Sequence, residues 1–202
     1  MRPSLACLPA LLLAAACCAP HARAQMSAPA DPLQPLNQVV VRIENNLLSL
    51  AEAMPADKYN FAPAKDIFKP GSPAEFATVR TFAQQLTHVS GVPFRMLAPF
   101  GVAPDPAVDV KSFDSLTAKD DIVKALKASF AYQNSVIAGL TPENIFTPVG
   151  PHNATRISTL VMILNDDGDH YGQMVEYLRM NGIVPPATAN QPSTMMKPVA
   201  QH

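Results

Sequence analysis

The sequence predicts an all-α fold, a four-helix bundle. Four segments repeat apolar residues at steps of three and four, and nothing between them sustains the period-two, β-branched alternation of strands. Three of the four segments also end at a proline or an Asn-Gly pair, and the remaining one meets Pro93 near its end. Amphipathic helices of ~20 residues, each with one apolar stripe, bury those stripes most simply against one another.

The first predicted helix runs from about Pro35 to Met54, with Leu36, Val39, Ile43, Leu47, Leu50 and Met54 on its stripe, and Pro55 stops it. Gln38, Arg42, Glu44, Asn45 and Glu52 form its polar face. The second is expected to start at Ser72-Pro73-Ala74-Glu75, a capping box with proline at the first helical position. Its stripe is Phe76, Val79, Phe82, Ala83 and Leu86; it should weaken near Ser90-Gly91 and kink or end at Pro93.

The third helix is expected from about Thr117, the N-cap, to Gly139, with Ile122, Leu126, Phe130, Gln133, Ile137 and Leu140 inward. The fourth runs from about Thr155 to Met180, carries Ile157, Leu160, Val161, Leu164, Tyr171, Val175 and Leu178 on one side, and leaves through Asn181-Gly182. The connection from Ala98 to Ser115 is Pro-rich and too long for an ordinary bundle loop, so it should be functional or pack across one bundle end. The expected organisation is a signal peptide (1–24), a flexible leader (25–32), the bundle (33–186) and a mobile tail (187–202).

The chain has 202 residues, 48% apolar and 15% charged, enough for one core and too apolar for wholesale disorder. Arg2, the apolar run from Leu8 to Ala16 and Ala22-Arg23-Ala24 before Gln25 read as a secretory signal. The run is far shorter than the ~20 residues a membrane-spanning helix needs, so no transmembrane segment is expected. Acylation on Cys17 or Cys18 is the weaker alternative, because Ala14 stands where a lipobox prefers Leu or Val.

All three cysteines lie in this signal, so cysteine nucleophiles and cysteine-based zinc sites are excluded from the exported form. Its removal leaves 13 basic and 16 acidic residues, and the mildly acidic balance argues against nucleic-acid binding. Dimerisation through an exposed bundle face is left open.

No phosphate-binding glycine loop, nucleophile elbow, zincin helix or haem attachment sequence is present, which leaves histidines and carboxylates. His152 in a Pro/Gly/Asn loop and His202 at the terminus read as solvated surface. Asp166 and His170 differ, because an i, i+4 pair projects both side chains to one side about 6 Å apart, a spacing that suits two ligands of one metal ion. The run Asn165-Asp166-Asp167-Gly168-Asp169 is also costly inside a helix, where glycine alone loses about 1 kcal/mol relative to alanine. A solvated acidic patch paired with His170 accounts for the same residues without a metal. His88 is the candidate third ligand, yet on a helical wheel it lies roughly 160° from its own apolar stripe, beside Thr81, Gln84 and Gln85, and is expected to be exposed unless two faces of the helix are buried or a cleft opens there. A shared ion requires the three side chains to converge within about 5 Å.

The run Asp166-x-x-x-His170 followed by Tyr171-Gly172-Gln173-Met174-Val175-Glu176-Tyr177-Leu178-Arg179-Met180-Asn181-Gly182-Ile183-Val184-Pro185-Pro186 resembles the final-helix motif of the DinB-like metalloprotein family. Met54 to Pro63 and Thr78 to Val89 are similar to the corresponding stretches of its secreted bacterial members, and the likeness extends from about Leu33 to Thr188. The resemblance implies an up-down-down-up bundle with a metal in a cleft near one end, held by one histidine of the second helix and two of the fourth. Carried over, these positions are His88, Asp166 and His170, so the three-histidine pattern is broken at 166.

Two histidines and a carboxylate form a competent set for Zn²⁺, Fe²⁺, Ni²⁺ or Mn²⁺; the same change is also what a decayed site looks like. Several relatives are thiol-dependent transferases or isomerases using bacillithiol or mycothiol. Such thiols are cytosolic, so for a periplasmic member metal-dependent hydrolysis by an activated water is the other chemistry implied. The substrate is an unidentified small molecule; a non-catalytic bundle that binds a ligand or partner without metal is the alternative. Asp169, Tyr171 and Gln173 are candidates for orienting the ligands, with Tyr171 better explained as packing.

Overall fold

The computed structural model describes residues 33–64 and 79–191. The signal peptide, the leader, the Ser72–Glu75 capping box with Phe76, and tail residues 192–202 lie outside them. Four long helices make the fold: α1 (Gln34–Ala53), α2 (Phe82–Met96), α3 (Lys119–Ile137) and α4 (Arg156–Met180). α1 and α4 keep the predicted bounds to within one residue. α4 starts at a capping box in which Thr155 and Ser158 satisfy one another's backbone N–H groups.

The other starts differ from expectation. Val79 and Arg80 are not helical, and α2 opens at a second capping box, Thr81 with Gln84, whose side chain accepts from the Thr81 N–H at 2.9 Å. α3 has Ala118 at its N-cap without a side-chain bond, so Thr117 does not cap it. α2 passes through Ser90-Gly91 and through Pro93; proline has no N–H to give to the Val89 carbonyl, a loss confined to the last turn.

Core packing fixes the topology. One apolar cluster joins Leu47, Leu50 and Met54 near the end of α1 to Phe82 and Leu86 at the start of α2, Ile122 and Leu126 at the start of α3, and Met174 and Leu178 near the end of α4. A second joins Val40 at the start of α1 to Val92 and Leu97 at the end of α2, Val136 and Ile137 at the end of α3, and Leu160 and Ile163 at the start of α4. α1 and α4 therefore point one way and α2 and α3 the other, the up-down-down-up order. α1 and α2 each pack on both α3 and α4.

Because α2 and α3 are parallel, the chain must return along the bundle between them. The long connection does so in two 3₁₀ turns, Ala98–Phe100 and Val110–Ser115, and buries Phe100 and Phe113. Phe113 meets Phe94 edge-on at 5.7 Å, and Phe94 stacks on Tyr132 at 4.9 Å. After α4, Gly182 takes the left-handed φ of +73° that favours glycine, and one further turn, α5 (Pro186–Ala189), packs on α1. The boundary expected at 187 thus falls inside an element.

Phe113→Ala should cost about 3–5 kcal/mol in chemical denaturation. Phe146→Ala, at a side chain 70% exposed, should stay within about 0.5 kcal/mol of wild type.

Candidate metal centre

α2 and α4 pack against one another antiparallel, which brings His88 opposite the Asp166–His170 turn. His88 Nε2 lies 3.7 Å from Asp166 Oδ2, and His170 Nε2 lies 3.5 Å from Asp166 Oδ1. The two imidazole rings meet edge to face with centroids 4.7 Å apart. One potential ligand atom from each of the three residues lies within 4.8 Å of the others. Oδ2 of Asp166 is buried and has no hydrogen-bond partner, so an acceptor is left facing the imidazoles.

His170 is buried, while His88 and Asp166 are half-buried beside a cleft of about 580 Å³ between α2 and α4. The exception allowed for His88 is the one the structure realises: α2 buries eleven of its fifteen residues, Gln85 and Thr87 among them, and His88 is half-buried at the cleft. Burial holds the His88 imidazole below its usual pKa, helped by the charges of Arg80, His170 and Arg95 and opposed by Asp166. A neutral imidazole at pH 7 is the form that can donate a lone pair to a cation.

His170 is oriented by a chain of side-chain amides. The Asp169 carboxylate only accepts, so it takes the Gln173 amide N–H at 2.9 Å. The Gln173 carbonyl then accepts from Gln85 Nε2 at 2.7 Å, which turns the Gln85 carbonyl toward Nδ1 of His170. Nδ1 therefore carries the proton and Nε2, on the Asp166 side, keeps its lone pair. Gln173 and Asp169 are two of the expected orienting residues. Tyr171 belongs to the apolar packing instead.

The model of the DinB superfamily matches residues 40–174, which include all three candidate ligands. The chain belongs to the DinB superfamily. A DinB-like protein from Bacillus cereus ATCC 10987 is a structural neighbour, with a TM-score of 0.61, 14% identity, and coverage of 76% of this chain and 95% of that one. At that identity the likeness establishes the shared fold. No curated protein matches the chain.

Of the other three histidines of this DinB bundle, His152 is exposed in a 3₁₀ turn, and His21 and His202 lie outside the described residues. Two features of the site escape a periodicity reading. Gln85, expected on a polar face, is 1% exposed and holds His170; its buried position follows only from the second packed face of α2. Val161, expected in the core stripe, is 54% exposed and lines the cleft with Met162.

Asp167, next to Asp166, points into the bundle. It is fully buried, and neither carboxylate oxygen has a hydrogen-bond partner among the described residues. Burial pushes its carboxyl up to about 7, with the negative charges of Asp166 and Glu44 adding to the shift. The neutral acid is the form the fold tolerates, so this group favours folding below the unfolded carboxyl value of about 4 and stops favouring it as pH rises through 7. In chelator-treated protein, Asp167→Asn should leave stability at pH 4 nearly unchanged. At pH 8 it should raise stability by up to roughly 4 kcal/mol, read from denaturation midpoints.

Proposed function

We propose that this protein is an exported DinB-superfamily metalloprotein that holds a divalent cation on His88, Asp166 and His170 and acts on a small molecule in the adjoining cleft. The observation that carries the reading is the convergence of two imidazole nitrogens and a carboxylate oxygen of Asp166 within 4.8 Å, with Oδ2 of that carboxylate buried and without a hydrogen-bond partner. Ligands of one ion stand roughly 3–4 Å apart, so the set needs little adjustment to close on a cation. Two nitrogens and one oxygen suit Zn²⁺, Fe²⁺, Ni²⁺ or Mn²⁺, and replacing a third imidazole by a carboxylate moves the preference toward the harder ions.

A cation held there supplies Lewis-acid polarisation and activation of water, the chemistry of a hydrolase or a group transferase. The chain's own groups do the positioning. Gln85, Gln173 and Asp169 hold the His170 tautomer, burial favours the neutral form of His88, and the cleft adjoins His88 and Asp166. The alternative, a ligand-binding bundle without metal, draws support from the 3.5 and 3.7 Å contacts through which Asp166 serves both imidazoles unaided.

Elemental analysis of untagged protein decides between them. The expected result is one equivalent of a divalent metal, lost in Asp166→Ala and His170→Ala, with affinity reduced about 10- to 100-fold in Gln85→Leu. Chelation should lower the melting temperature of wild type and leave the two alanine variants unmoved. No bound metal under any loading condition would favour the metal-free reading.

Export rests on the residues before Gln25, and no described helix is long and apolar enough to cross a membrane. The expected outcome in a Gram-negative host is a periplasmic protein whose N-terminal residue is Gln25, read by Edman degradation or intact mass. Retention of Met1 would reject the signal reading, and a lipidated Cys17 or Cys18 would select the anchored form.

A further inference from the structure

The cleft beside the metal centre contains a cation that the proposed metal site does not use. Arg95 lines it together with His88, Asp166 and Asp169. Among the described residues no hydrogen bond or ion pair engages the guanidinium, although two carboxylates line the same cleft. Both are turned elsewhere: Asp166 faces His88 and His170 at 3.7 and 3.5 Å, and Asp169 accepts from Gln173.

The guanidinium occupies a seat made by a missing side chain. A Cβ built on Gly91 would lie 2.6 Å from Arg95 Nη1 and would touch no atoms but those of Arg95. Arg95 is therefore folded back one turn along α2, toward the metal centre. Gly91 itself follows His88 by three residues, a neighbouring position on the helix surface about 5 Å away. The remaining walls are Val92, Met96, Val161 and Met162, of which Val161 and Met162 are 54% and 57% exposed. Two adjacent, half-exposed apolar side chains at the wall of a cleft are a place for an apolar ligand group.

We propose that Arg95 is the anion anchor of this cleft, so that its ligand is a small organic anion with a short apolar portion, bound between the guanidinium and the Val161–Met162 wall. The inference rests on the metal reading only for where the ligand's reacting group lies; the anchor and the wall stand on their own geometry. A guanidinium offers paired N–H donors that match a carboxylate or similar oxyanion, which an ammonium in the same place would not do. The Arg95 charge also reaches His88, where it helps to keep the imidazole neutral.

The test uses calorimetric titration of the full mature protein, metal-loaded and as purified, with hexanoate as the probe and hexanol and hexylammonium as comparators. Hexanoate should bind at least 10-fold more tightly than either comparator. Arg95→Met should weaken hexanoate at least 10-fold. Gly91→Ala should weaken it comparably by displacing the guanidinium, while its melting temperature stays the same or rises, because alanine is the better helix former. Metal content measured on every sample reports separately on the centre. If wild type takes up no metal, the metal reading fails, and an Arg95-dependent preference for hexanoate still supports the anchor. Absence of hexanoate binding, equal binding of hexanol, or hexanoate affinity unchanged in both variants overturns it.

Discussion

α2 is packed on two sides, and the site depends on that. A helix at the rim of a bundle buries one stripe and gives the rest to water. α2 instead presents Phe82, Leu86 and Val89 to the apolar core and Gln85 to α4. The Gln85–His170 hydrogen bond joins the two helices through the imidazole that must be aimed. A buried amide left unpaired at that position would cost on the order of 1–3 kcal/mol, so the bond and the helix packing require one another. His88, one turn further along α2, is placed opposite Asp166 by the same packing.

The interior at this level is polar. Between the two apolar clusters each helix contributes at least one polar side chain: Glu44 from α1, Ser90 from α2, Ser129 and Gln133 from α3, Asp167 from α4. Glu44 is half-buried and tied to α3 through Asn134 at 2.7 Å. Ser90 returns its hydroxyl to the Leu86 carbonyl at 2.8 Å. Ser129 Oγ, Gln133 Oε1 and both Asp167 oxygens have no partner among the described residues. Such a layer disfavours folding relative to an apolar one. The consecutive acids on α4 divide between two environments, since 100° of helix rotation sends Asp166 to the cleft and Asp167 to the interior. The acidic, glycine-containing turn that looks out of place in a helix is thus the turn at which α4 serves both.

Much of the architecture can be read from periodicity and caps. α1 and α4 carry stripes long enough to outweigh local ambiguity, and the i, i+4 relation of Asp166 and His170 holds wherever the helix goes. α2 resists such reading because its start has two competing capping signatures, Ser72–Glu75 and Thr81–Gln84, and only the second opens the helix that carries His88. The wheel position of His88, far from its own apolar stripe, means exposure only when no second helix covers the other face. Gln85 and Val161 fail in opposite directions for the same reason. A polar residue is buried where a partner waits for it, and an apolar one is left out where the surface folds into a cleft.

Aspartate at 166 also changes what the cluster can do by itself. An imidazole in that place would bring one lone pair and, facing two other imidazoles, would meet them as a like group. A carboxylate brings two acceptor atoms on one carbon, and here Oδ1 faces His170 while Oδ2 faces His88. Its negative charge favours the proton-carrying form of the His88 ring, partly offsetting the desolvation that opposes it. The three side chains stand with one potential ligand atom each within 4.8 Å, the arrangement that the proposed cation site requires. For the proposed cation site, a carboxylate in place of an imidazole would trade some softness of the donor set for a harder, negatively charged ligand.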